Sequence, residues 1–151
     1  MFLEALGPLY EASYYNKKDV KIQCYIGLCI SYIEESKRGK PQIDKYLKST
    51  KEFDPYVLHK IGKVYGHIFK DYEKAITILD NAIDLNNSTN CWDYIEKGYM
   101  YLYLNNKEIA SNMFTKAFEV AKKTNDAAGM ETAPQLIEQI DELLKQFQNK
   151  T

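Results

Sequence analysis

Residues 56–65 read YVLHKIGKVY and residues 71–82 read DYEKAITILDNA; farther along, residues 93–101 read DYIEKGYMY and residues 106–117 read NKEIASNMFTKA. Laid over one another, the two pairs keep one skeleton. Gly62 and Gly98 stand 36 residues apart, while Ala75 and Ala110, Leu79 and Phe114, and Ala82 and Ala117 each stand 35 apart. Each first segment carries a small residue followed three positions later by an aromatic: Gly62 with Tyr65, Gly98 with Tyr101. Each second segment carries a small, large, small triplet spaced by four and then three. Such spacings place side chains on one helix face. The small residues let two helix backbones approach, and the large one fills the gap beside them. A pair of short helices cannot bury both its faces alone, so such hairpins must stack on one another.

Working outward, a looser copy precedes these two. Gly27 and Ile30 take the places of Gly62 and Tyr65, and Ile43, Leu47 and Thr50 keep the four-then-three spacing before Asp54-Pro55. The extra residues of this copy fall in the polar stretch 36–40, read as a lengthened turn, after which Pro41 opens a helix where a missing N–H costs nothing. Ala5, Leu9 and Ala12 repeat the triplet once more, as a lone second helix of an earlier unit, although Gly7-Pro8 argues against a clean helix there. Pro134 is read as the start of a last amphipathic helix that covers the open end of the stack. The spacing predicts helices near 2–14, 20–35, 41–51, 55–69, 72–85, 91–104, 107–123 and 134–148.

This skeleton resembles the tetratricopeptide repeat, a helix–turn–helix unit with a period of about 34 residues. The resemblance covers about residues 20–123, closely in the last two units and loosely in the first. It implies an all-α fold: a right-handed α-solenoid of about three helix hairpins with an N-terminal extra helix and a C-terminal capping helix. The chain is expected to form one domain over 1–151, with units at about 20–54, 55–90 and 91–124 and a cap at about 134–148. In this family the first helices line a concave groove that holds a protein or peptide. Carried over, the groove positions are Cys24, Leu28 and Tyr32; Tyr56, His59, Lys63 and His67; and Trp92, Ile95, Tyr99, Leu102 and Tyr103. A partner segment that is apolar or aromatic, with some acidic groups, would suit such a face, because Trp and Tyr are favoured at binding hot spots. Some members grip a C-terminal carboxylate with lysines and asparagines. Here Leu28 and Lys63 stand where asparagines are expected, and Trp92 and Glu96 where basic residues are, so that clamp is not expected.

The bulk composition agrees. In 151 residues, 45% hydrophobic and 27% charged residues suit a globular chain, and 20 basic against 21 acidic residues give no basic footprint for nucleic acid. Thirteen tyrosines supply rings that can lie half in a core and half in a groove. Neither a leader-like segment over 1–8 nor an apolar run of roughly 20 residues is present, and three cysteines form no framework, so a reducing, cytoplasmic setting without membrane contact is expected. His59 and His67 lie eight apart on one helix, about 12 Å of rise, too far to share a metal. Cys24 and Cys29 point about 140° apart on a helix and read as buried small apolar groups. Cys91 is open between an incidental and a reactive role. Phosphate loops, nucleophile elbows and metal motifs are missing, so no catalytic residue, metal or cofactor is assigned. The leading function is a binding module. The alternatives are a small cytoplasmic chaperone or immunity protein masking one secreted protein or toxin, and, less favoured, an enzyme or regulatory subunit.

Overall fold

The computed structural model describes residues 2–49 and 51–148. They form nine α-helices with one 3₁₀ turn and no strand: α1 (Phe2–Tyr15), α2 (Val20–Glu34), α3 (Lys40–Ser49), α4 (Pro55–His67), α5 (Tyr72–Leu85), α6 (Cys91–Tyr103), α7 (Lys107–Thr124), α8 (Ala127–Glu138) and α9 (Ile140–Gln148), the 3₁₀ turn Lys37–Gly39 leading into α3. Most helix starts are written in the sequence as carboxylate or amide caps. Asp19, Asp54, Asp71, Asn90, Asn106 and Asp126 each accept backbone N–H groups of the first turn that follows. Asp54 also takes an ion pair from Lys21, 2.7 Å away, so it ties the start of α4 to α2. Lys70 (φ 60°) and Asn105 (φ 59°) hold the left-handed turn after α4 and after α6, one repeat apart.

The chain is a stack of helix hairpins: α2 packs on α3, α4 on α5, α6 on α7. The alanines of the triplets, Ala75, Ala82, Ala110 and Ala117, are fully buried. Gly62 is pressed by Leu79 and Gly98 by Phe114, so tightly that a Cβ at either glycine would come within 2.7 Å and 2.3 Å of the facing side chain. This is the physical content of the small-and-large spacing: the side chain missing from the first helix is supplied by the second. Burying a ring such as Phe114 contributes about 1.5–3 kcal/mol. In the first hairpin the fit is made with backbone instead, since a Cβ on Gly39 would meet the Gly27 carbonyl oxygen at 1.9 Å. Its triplet is weaker: Ile43 is buried and Leu47 half-buried, while Thr50 lies outside the described residues.

Between hairpins, α2 touches α4 and α4 touches α6. Among the described residues the second helices α3, α5 and α7 do not pack on one another to a comparable degree. The first helices therefore lie on the inside of the curve and the second helices splay outside.

Two expectations at the ends are corrected. Gly7-Pro8 does not break α1, which runs through Pro8. Pro8 is exposed at the cleft beside α1, where a freed carbonyl can be solvated, and it shares the stripe of half-buried Ala5, Leu9 and Ala12. The cap expected at 134–148 is two helices, and Pro134 sits inside α8 rather than opening it. Asp126 starts that helix earlier, accepting from the Gly129 N–H at 2.9 Å and from the Trp92 indole N–H at 3.0 Å. Gly129 then lets α8 close on α6 and α7, because a Cβ there would meet the Cys91 sulfur at 2.5 Å and Ala121 at 2.9 Å.

Candidate binding face

The inner face is built by α2, α4 and α6, and its three parts differ. At the α2 end, α1 stands off from α2 and α4 and leaves an open cleft of about 470 Å³. Leu28 and Tyr32 of α2 and Tyr56 of α4 line it together with Phe2 and Leu9 of α1, and Lys60 is its one cation among the described residues. Phe2 stacks on Tyr32 with ring centroids 4.5 Å apart. Tyr56 is 60% exposed, with the Lys60 ammonium 5.1 Å above its ring. Burial raises the pKa of the Tyr32 hydroxyl, with the Glu96 charge adding to it, so Tyr32 brings no charge to the cleft.

Between α4 and α6 the face is ionic. His59 Nδ1 donates to the fully buried Asp93 carboxylate at 2.6 Å, since a carboxylate can only accept, and the Asn86 amide donates to the same group at 2.7 Å. One turn on, Glu96 lies 2.8 Å from both Lys63 Nζ and His67 Nε2. Burial alone would raise the Glu96 carboxyl, but the His67 hydrogen bond and the Lys63 charge hold it below the usual glutamate range. The carboxylates of α6 therefore face His59, Lys63 and His67 of α4 and leave Lys60 aside.

Toward the turn end the face becomes aromatic. Tyr103 stacks on Tyr72 at 4.9 Å, with its hydroxyl 3.1 Å from His67 Nδ1. Tyr99 meets Phe114 edge-on at 5.8 Å. Phe147 of α9 lies over both tyrosines, 4.4 Å from the Tyr103 ring centroid and 6.4 Å from that of Tyr99.

Of the twelve groove positions expected from the sequence, Tyr56 is exposed, and Tyr32, Lys63, His67, Trp92, Tyr99 and Tyr103 are half-buried. Cys24, Leu28, His59, Ile95 and Leu102 are buried, Leu28 while still lining the α1 cleft. The reason is geometric: a first helix touches its own partner helix and the next first helix, so a stripe at helical spacing is shared between the groove and both neighbours. Trp92 is turned to α8, and Tyr99 and Tyr103 are covered by α9. Sequence reasoning missed Asp93, Lys60 and Phe147, and read Glu96 only as a departure from a clamp. The signal for the acids was their place on the Tyr99–Tyr103 stripe of α6, opposite the basic residues of α4. All three thiols are raised by burial, Cys24 and Cys91 to about 12, Cys91 with help from Asp126, so Cys91 is not a reactive thiolate. Among the described residues no group of three or more His, Cys, Asp and Glu is placed to hold a metal, and no helix is long and apolar enough to cross a membrane.

Comparison with known proteins matches residues 55–89 and 94–124 to the family model described as tetratricopeptide repeat. The chain is 34% identical over 109 residues to a TPR repeat-containing protein of Methanocaldococcus jannaschii, a match covering 66% of this chain and 19% of that protein. It is 29% identical over 125 residues to a spindle pole body protein of Schizosaccharomyces pombe, covering 83% of this chain and 15% of that one. The chain thus spans less than a fifth of either relative. No solved structure matches at the same stringency.

Proposed function

Because this chain belongs to the tetratricopeptide repeat family, whose repeats generally mediate protein–protein interaction, we propose that it is a binding module that takes an apolar or aromatic segment of a partner protein on the inner face of its first helices. The observation that carries this reading is the open apolar cleft between α1 and the α2–α4 pair. An opening of about 470 Å³ is the size of pocket that accepts one or two large side chains. Tyr56 at its rim has the character of a hot-spot residue: a rigid ring, largely in water, with a cation beside it. The expected taste for acidic groups narrows to one place. His59, Lys63 and His67 already face Asp93 and Glu96, whereas Lys60 has no ion-pair partner among the described residues. An acidic residue of the partner beside its anchoring side chain would meet Lys60.

The test is site-specific photo-crosslinking. A benzoylphenylalanine in place of Tyr56, and another in place of exposed Lys116 on the outer helix α7, are compared in native lysate. The expected result is a discrete adduct from position 56, absent from position 116 and lost on Lys60→Glu. Equal or no adducts from the two positions would defeat the reading. A single stoichiometric secreted or toxic protein as the adduct would identify the module as a dedicated masking protein.

A further inference from the structure

The last helix departs from the repeat. α8 packs on α7 as α6 packs on α5, so it continues the stack as a first helix would. A regular second helix would then fold back along α8. Instead the chain turns after Gln139, and α9 touches α6 and α7 more extensively than α8. Its large apolar residues Ile140, Leu143, Leu144 and Phe147 fall at i, i+3, i+4 and i+7, one stripe of a helix. That stripe is turned to the third hairpin, and Phe147 closes the aromatic face made by Tyr99 and Tyr103. A short amphipathic helix laid apolar-side down on a helical groove is a recurrent mode of partner recognition.

The attachment is slight. Only Ile140 of the stripe is buried; Leu143, Leu144 and Phe147 are half-buried. The polar ties, Lys107 to Asp141 and Gln148 to Asn105, are exposed. Nine residues are too few to hold a helix in water, so α9 is folded only while docked.

We propose that α9 is a resident, displaceable ligand of the third hairpin's inner face, and that this face receives an amphipathic helix of a partner protein with the same apolar stripe ending in phenylalanine. This rests on the reading that the inner face binds protein, and it names the partner's chemistry at the end of the face away from the α1 cleft. Competition from α9 lowers the apparent affinity for such a helix by the fraction of time the face stands open.

The probe is a fluorescein-labelled, C-amidated peptide with the sequence of residues 138–148, read by anisotropy against the full chain. Wild type is compared with Leu143→Asp/Phe147→Asp, which undocks α9. The double variant is expected to bind the peptide at least tenfold more tightly than wild type. Binding should vanish for a peptide whose phenylalanine is alanine, and for the double variant carrying Tyr103→Ala. Hydrogen exchange on wild type supplies an independent reading. Amides of 140–148 should exchange at least tenfold faster than those of 92–103, and faster still with excess unlabelled peptide. An undocked variant that binds the peptide no better than wild type overturns the proposal, as does exchange of 140–148 in step with α6. Either failure leaves the position-56 adduct standing, since that site lies on α4 beside α1; loss of the adduct alone would in turn leave peptide binding intact.

Discussion

Replacing Gly98 by alanine should weaken the third hairpin even though alanine is the better helix former. A Cβ at this position would stand 2.3 Å from Phe114 Cε1, 2.7 Å from Cδ1 and 2.8 Å from Cζ. Carbon atoms in contact sit about 3.5–4.0 Å apart, so the ring would have to retreat by more than about 1 Å. It has little room, being fully buried with Tyr99 edge-on at 5.8 Å. Overfilling a packed core costs about 1–3 kcal/mol, and helix propensity returns about 1 kcal/mol. The upper part of the range applies to so short a contact, which leaves a net loss of about 1–2 kcal/mol, or a Tm lowered by about 3–6 °C. The assay is urea unfolding followed by far-UV circular dichroism, for wild type, Gly98→Ala, Phe114→Leu and the double variant. Leucine lacks the two ring atoms Cε1 and Cζ, so alanine should cost less beside it, and the cycle should show a favourable coupling of about 1 kcal/mol. A Gly98→Ala protein as stable as wild type, or strictly additive changes, would refute the reasoning that the repeat is specified by a side chain filling a glycine's gap.

Asp54→Ala should cost about 1 kcal/mol through the lost cap of α4, whereas Asp54→Asn, which keeps a cap and loses the exposed pair with Lys21, should cost no more than about 0.5 kcal/mol in the same unfolding assay. Glu96 sets an acid limit. Its folded pKa lies below the ordinary value of 4.5, so the native state binds fewer protons there, and its contribution is fully present above that value and lost as pH falls beneath it. Urea midpoints at pH 7 and pH 3.5 should therefore fall further for wild type than for Glu96→Gln. With Cys24 and Cys91 pushed up to about 12 by burial, a disulfide reagent at pH 8 should modify these thiols on the timescale of unfolding rather than at once; rapid stoichiometric labelling of the native chain would contradict the packing.

Seven of the helices, α1 to α7, begin and end within about two residues of what periodicity, caps and turn residues predict. These signals act over one or two turns and need nothing distant to be read. The hairpin pairing was equally legible, because its code of glycine against leucine or phenylalanine is carried inside each repeat of about 34 residues. The C-terminal region was read less well. Pro134 looked like a helix start because a proline favours that place, but the Asp126 cap, held also by Trp92 from 34 residues away, begins α8 a full two turns earlier.

The sequence by itself determined that this chain is a stack of helix hairpins and which glycines and alanines join them, since those choices are made by neighbours within one repeat. Which side chains of the first helices stay open was decided only in three dimensions. Asp93 and Glu96 find His59 and His67 at separations of 34 and 29 residues, and Phe147 reaches Tyr103 across the turn at Gln139. A helical stripe announces that a face will be buried but not what will bury it, and on the inner face of this stack the answers are a neighbouring hairpin's acids, the chain's own last helix and, beside α1, an open cleft.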